Sequence, residues 1–320
     1  KVGDSYVKIN KLAEAARAYE TVKVLYPQHP QAPTALYQAA AIYSRDQQFA
    51  KAELTIKDFL DRYPESSIYP NGRLLFADLL SEKQDYDQAL SEYDKVLKSG
   101  ADASIMAQAY LGIGQLYSKL GQFERAKENF QTILSRYPST AAAFPALLST
   151  SEILAVSGDF ENAIQLINEN LPKYKNPSQK ARLNLALAGV YFYQNNFFSA
   201  RKILEAIPAS SLNDTLAAHS YFNLGMVYFR EQKYEQSVSN FKKILETPSL
   251  QTASRDIATE CQIQLGKVYL EQGQYDPGAE VLQAFLSEYP AHPAKEEIFS
   301  DLFYTALGNQ QFTDAENLYR

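Results

Sequence analysis

Few residues of this 320-residue chain have the types and spacing for chemistry. His29 and His292 stand in matching contexts, Tyr-Pro-Gln-His-Pro and Tyr-Pro-Ala-His-Pro. A loop imidazole can ligate a metal or move a proton. The same pentapeptide is also what a repeated turn gives, and that is the reading adopted. Cys261 is the sole cysteine. A thiol becomes a nucleophile when a basic neighbour lowers its pKa, and no histidine adjoins Cys261 in sequence. One cysteine makes neither an intrachain disulfide nor a thiolate cage. Gly112-x-Gly114 has the spacing that opens a dinucleotide loop, but it lies within helical periodicity, follows no strand and lacks the third glycine. Asn213-Asp214-Thr215 matches the glycosylation triplet, a weak signal when it stands alone. Acidic residues are scattered over polar faces. The expectation is a non-enzymatic chain without cofactor or metal.

The elements that position these residues repeat. An aromatic residue or Leu recurs at Leu12, Phe49, Tyr86, Phe123, Phe160, Phe197, Tyr234, Tyr275 and Phe312. The step is 37 residues throughout, except for 41 between Tyr234 and Tyr275. Three residues after each stands a small one: Ala15, Ala52, Ala89, Ala126, Ala163, Ala200, Ser237, Gly278 and Ala315. Two columns in register nine times establish a repeat, and self-similarity at such a period means stacked units.

Each unit reads as two helices. Tyr110, Ile113, Gly114 and Tyr117 fall on one face of the first, and Phe123, Ala126, Phe130 and Ile133 on one face of the second. Between them lie Gly, Asn, Asp or Gln, as at Gly121-Gln122, Gly158-Asp159 and Gly273-Gln274, residues that tolerate left-handed backbone. Tyr-Pro closes several units, at Tyr26-Pro27, Tyr63-Pro64, Tyr137-Pro138 and Tyr289-Pro290, because proline cannot continue a helix interior. Pro277 is read as the first helical residue after an Asp276 N-cap. Gly114, Gly225 and Gly266 are expected to face Ala126, Ser237 and Gly278, letting paired helices approach closely. No helix pair can bury its apolar face alone, so the units must stack.

Composition bounds the function. Lys plus Arg is 31 and Asp plus Glu 37, a net charge of −6, and neither half of the chain is a basic arm, which argues against nucleic acid. No apolar run approaches the ~18 residues of a membrane span. No signal peptide is visible at the start. The first unit begins near Gly3 and the last stops at Arg320, so the chain reads as part of a longer protein.

These features resemble the tetratricopeptide repeat (TPR) family. The resemblance rests on Leu224-Gly225 and Leu265-Gly266, Tyr228 and Tyr269, the aromatic-x-x-Ala column, Phe130 and Phe241, and the closing Pro. It departs in period, since the family's usual unit is 34 residues, and in lacking the family's Trp, replaced by Tyr110, Tyr221 and Phe299. The fold it implies is all-α: a right-handed superhelical solenoid of antiparallel helix pairs. One solenoid spans 1–320, with units starting near 33, 70, 107, 144, 181, 218, 259 and 296, partial units at both ends, and a candidate hinge at 247–254.

The resemblance also implies a concave groove lined by first helices. Counted from the small column, its floor is polar at Asn71, Asp78, Ser81, Glu82, Gln108, Gln115, Ser118 and Lys119. It becomes aromatic and basic at Arg182, Phe192, Tyr193, His219, Phe222, Met226, Phe229 and Arg230. Aromatics, Met and Arg dominate interaction hot spots. The candidate partner site is therefore Arg182, Phe192, Tyr193, Phe222, Met226, Phe229 and Arg230, suited to a peptide with apolar anchors and an acidic group. Family members that clamp the C-terminal carboxylate of Hsp70 or Hsp90 use Lys and Asn at fixed positions. Here those positions hold Leu74, Leu111, Leu148, Leu185, Phe222, Asp78, Gln115 and Glu152, so that clamp is absent. The loops Tyr63-Pro64-Glu65-Ser66 and Tyr137-Pro138-Ser139-Thr140 resemble those of bacterial envelope members: the outer-membrane assembly lipoprotein and the Tol–Pal coordinator. The expectation is a protein-binding scaffold at the periplasm or outer membrane. The alternatives are a cytoplasmic regulatory or sensory module, and a structural element that self-associates through its ends.

Overall fold

The computed structural model describes residues 2–308, 310 and 311. Among them every regular element is helical. The chain divides after Thr150 into two compact units. The first holds α1 (Val2–Lys8), α2 (Leu12–Leu25), α3 (Ala32–Arg45), α4 (Phe49–Arg62), α5 (Tyr69–Glu82), α6 (Tyr86–Lys98), α7 (Ala103–Lys119) and α8 (Phe123–Arg136). The boundary falls within α9 (Ala143–Val156). The second holds α10 (Phe160–Asn170), α11 (Pro177–Tyr193), α12 (Phe197–Glu205), α13 (Asp214–Arg230), α14 (Tyr234–Leu245), α15 (Pro248–Ala253), α16 (Arg255–Glu271), α17 (Tyr275–Glu288) and α18 (Lys295–Gly308).

The aromatic column has a structural meaning. Leu12, Phe49, Tyr86, Phe123, Phe160, Phe197, Tyr234 and Tyr275 are each the first residue of a second helix. Two positions earlier the backbone is left-handed every time: Asn10, Gln47, Gln84, Gly121, Gly158, Asn195, Gln232 and Gly273, with φ between 56° and 82°. The next amide then reaches back to close the first helix, as Gln48 N–H does to the Tyr43 carbonyl (2.9 Å) and Gln122 to Tyr117 (2.8 Å). This capping satisfies carbonyls that a helix end leaves open. The ninth members of the two columns, Phe312 and Ala315, lie outside the described residues, as does the second helix of the last unit.

The long period is filled in two ways. Where Tyr-Pro closes a unit, the next first helix has 14 residues, as in α3, α5, α9 and α18. Elsewhere it has 17, as in α7, α11, α13 and α16. Three of those four start from an N-cap, Asp102, Asn176 or Asn213, whose side chain accepts from backbone N–H groups. Asn213, the glycosylation-like asparagine, is thus a cap. Pro277 is placed differently from the sequence expectation. The N-cap of α17 is Gln274, so Pro277 is its third residue. Its missing N–H is still one of the four that a helix start leaves unbonded. The four extra residues of the long step fall in α15, whose Leu250 is buried against Phe241, Ile244 and Cys261.

Within each unit the successive first helices touch: α3 with α5 and α5 with α7, then α11 with α13, α13 with α16 and α16 with α18. Among the described residues the second helices make no comparable contact with one another. First helices therefore form the inner layer of each unit. The small column is buried, from Ala15 to Gly278. Ser237 Oγ donates to the Gly225 carbonyl (2.8 Å), and a Cβ on Gly278 would meet the Gly266 carbonyl at 3.1 Å. Gly114 faces the ring of Phe130 instead of Ala126, with 2.4 Å from its missing Cβ to the ring.

Candidate functional site

His29, His292, Cys261 and Gly112 hold structural positions. His29 Nδ1 accepts from the Gln31 amide (3.1 Å) and His292 Nδ1 from the Ala294 amide (3.2 Å), so both imidazoles brace the same turn. Cys261 is fully buried in a free state, and burial pushes its thiol up to about 12, the reverse of a reactive thiolate. Gly112 lies against Tyr93, whose ring fills its Cβ position. Among the described residues no group of three His, Cys, Asp or Glu could hold a metal ion. No helix there is long and apolar enough to cross a membrane.

The predicted aromatic patch falls entirely within the second unit. Four of its members meet in one cleft of about 220 Å³ between α11 and α13: Phe192, Tyr193, Phe222 and Met226. Tyr193 is 55% exposed. Phe222 rests on the buried ring of Phe241, 5.9 Å between centroids, and Leu204 of α12 closes the base. The helix repeat dictates this: Phe222 and Met226 are one turn apart on α13, and Phe192 and Tyr193 end α11 beside them.

The other three members do not line the cleft itself. Phe229 packs on Tyr234, 6.2 Å between centroids, across the turn into α14. Arg230 stacks its guanidinium 5.0 Å from the Phe197 ring and 5.7 Å from Phe192, and Nη2 donates to Asn195 Oδ1 (3.3 Å). Arg45 makes the same bond to Asn10 in the first unit (3.4 Å), so this link belongs to the repeat. Phe192 touches both the cleft and Arg230, which puts that cation at the rim. Arg182 is exposed ten residues before Phe192, about 15 Å along the helix. Its neighbour is His219, whose pKa is lowered by burial first and by the Arg182 charge second.

The polar strip of the first unit is partly internally bonded. Tyr93 O–H donates to Asp78 (2.6 Å), Lys119 pairs with Glu82 at 3.3 Å, and Ser81 is buried. Burial raises Asp78 to about 6, with the Glu82 charge adding to it and the Tyr93 hydrogen bond opposing it.

Residue types and columns left out Ala188, Gly189, Asn223, Leu204 and Val227, which complete the cleft. Gly189 carried a signal. Its column reads Asp78, Gln115, Glu152, Gly189, Met226, Lys267, so a glycine replaces a long side chain on the inner face. A glycine inside a helix costs about 1 kcal/mol relative to alanine. Gly72, Gly112, Gly114, Gly225, Gly266 and Gly278 each lie against a side chain within 3.0 Å of the missing Cβ. A Cβ on Gly189 would meet nothing within 4 Å.

Comparison with known proteins agrees in phase and fold. Residues 218–247 and 260–292 match tetratricopeptide repeat models. Residues 1–154 match the model of the YfiO family, described as an outer membrane lipoprotein. No curated protein matches the chain by sequence. Among solved structures, a tetratricopeptide repeat protein from Parabacteroides merdae superposes with a TM-score of 0.60 at 17% identity, covering 80% of this chain and 94% of that one. PilW, a type IV pilus biogenesis factor, gives 0.56 at 17%, covering 72% and 97%. Yeast Tom70 gives 0.63 at 15%, covering 95% and 60%. At these identities the structures share the fold.

Proposed function

Because the chain is built of tetratricopeptide repeats, we propose that it is a non-catalytic scaffold of a bacterial envelope assembly. It holds a protein partner on the inner face of α11 and α13. The observation that carries the reading is the cleft. Solvent-facing apolar surface is costly unless something covers it, and here Phe192, Tyr193, Phe222 and Met226 gather around one opening. Arg182, Phe229 and Arg230 extend the contact surface beyond the opening. Arg182 and Arg230 offer charge to an acidic partner, and Phe229 supports the end of α13. The partner is a protein, since the groove offers aromatic and guanidinium groups and the chain's net charge is −6.

The envelope assignment rests on residues 1–154 and their match to an outer membrane lipoprotein family. On that support we read it as a protein of the periplasm or the outer membrane. The structural likeness to PilW adds fold alone.

The test is photo-crosslinking from Tyr193, with fractionation of the source cells. The reading expects one dominant crosslinked protein, found with this chain in the envelope fraction, and its loss in a Phe222→Ala/Met226→Ala variant that keeps its helical circular dichroism. Crosslinks that persist in the variant would remove the cleft from the reading. A chain recovered only from the cytoplasm would remove the envelope.

A further inference from the structure

Resting on that reading, we propose that the α11–α13 cleft takes one large apolar side chain, Leu, Met or Phe, from an extended segment of the partner. The segment's backbone crosses Gly189, and an Asp or Glu next to the anchor meets Arg230.

Size argues for a single anchor. A cavity of about 150 Å³ accepts a benzene ring, so the 220 Å³ here holds one large side chain and not a row of them. A bound amphipathic helix needs anchors at several successive turns along an apolar groove. This groove does not continue. One unit earlier the column of Gly189 and Met226 holds Glu152, and one unit later it holds Lys267, which pairs with Glu297 at 2.5 Å.

Gly189 argues for close approach. The fold has no packing use for it, unlike the glycines whose Cβ positions are filled by Phe59, Phe130 or Phe241. A glycine that weakens its helix and opens space at the lip of an apolar cleft admits another backbone there. Charge argues for the acid. Arg230 is exposed, stacked on Phe192 and Phe197, and uses one donor on Asn195. Among the described residues no carboxylate lies within ion-pair distance of it, whereas Arg201 on α12 pairs with both Glu205 and Glu231. The cation at the rim of the cleft is complementary to a carboxylate on the incoming segment.

The test pans a phage-displayed random dodecamer library against the full chain and measures the enriched peptides by fluorescence anisotropy. The expected sequences carry Leu, Met or Phe within two residues of Asp or Glu. Replacing the anchor by Ala, or using Gly189→Leu in the chain, weakens binding at least tenfold, while the variant's Tm stays at or above that of the parent. The Arg230→Gln variant and an acid-to-amide change in the peptide give losses that do not add when combined, the mark of a direct pair. The anchor proposal is overturned if Gly189→Leu binds as the parent does, or if the two charge changes are additive. If Phe222→Ala/Met226→Ala still abolishes binding in that case, the face is a binding site and only the anchor fails. If no sequence is enriched, or no cleft variant changes affinity, the scaffold site falls with it.

Discussion

The ring of Phe130 stands where a Cβ on Gly114 would be, 2.4 Å from that position. The same relation joins Gly225 to Phe241 and Gly266 to Leu282, in each case a first-helix glycine and the second-helix residue that packs over it. Both rings are fully buried, so neither can swing away. Gly114→Ala is therefore expected to destabilise by about 1–3 kcal/mol through overpacking, even though alanine is the better helix former. Gly189→Ala, with open space around it, should stabilise by up to about 1 kcal/mol. Urea midpoints of the two variants must move in opposite directions, and a shift of the same sign would refute the packing account.

The left-handed column gives a second expectation. Gln47, Gln84 and Gln232 occupy φ of 57°, 64° and 58°, at positions where other units carry glycine. An L-residue there costs roughly 1–2 kcal/mol that glycine avoids, and glycine loses part of that gain through the freedom of the unfolded chain. Gln84→Gly should raise stability by about 0.5–1 kcal/mol, and Gly121→Ala should lower it by about 1 kcal/mol. Thermal unfolding of the pair checks both signs.

The repeat was legible because the columns that define it each do one physical task. The aromatic starts the second helix, the small residue lets helices touch, and the Gly, Asn or Gln turns the chain. The start of α17 differs from the sequence expectation because Asp276 and Pro277 imitate a capping dipeptide, while the left-handed turn at Gly273 fixes the helix start. The candidate site was legible only in part. Position in the unit found Phe192, Tyr193, Phe222 and Met226, which the cleft unites. It could not show that Phe229 packs on Tyr234 or that Arg230 stacks on two rings, because those contacts depend on side-chain direction across a turn. Gly189 shows in the sequence only as the glycine of its column, and the open space around it belongs to the fold.

Leu250 is the buried side chain of the inserted segment. Leu250 is 6% exposed and packs in the cluster of Phe241, Ile244 and Cys261, and Gln251 donates to the Leu245 carbonyl. Leu250→Ala is expected to cost about 2–4 kcal/mol, as for other buried leucines. The loss should be local. Amide hydrogen exchange should accelerate in α15 and the start of α16 before the rest of the second unit. Unchanged exchange in α15 would show that the insertion is held by something other than Leu250.

Asp78 supplies a pH dependence whose sign is fixed. It reaches solvent on the inner face of α5, but Tyr37, Tyr93 and Glu82 crowd it, and burial holds its pKa at about 6, above the ordinary 3.8. Between those values the folded chain binds more protons than the unfolded one, so this group lowers stability as pH rises from about 4 to about 6. The cost is complete above pH 6 and absent below about 4. Tyr93 does not titrate in this window, since burial and the Asp78 charge push it far up, and it remains a donor throughout. Asp78→Asn keeps an acceptor for Tyr93 and removes the charge. The variant should be more stable than the parent at pH 7.5, with the gap closing as pH falls to 4. Urea midpoints of both proteins at pH 7.5, 5 and 4 measure it, and a gap that stays constant across that range would mean Asp78 ionises as an ordinary surface carboxylate.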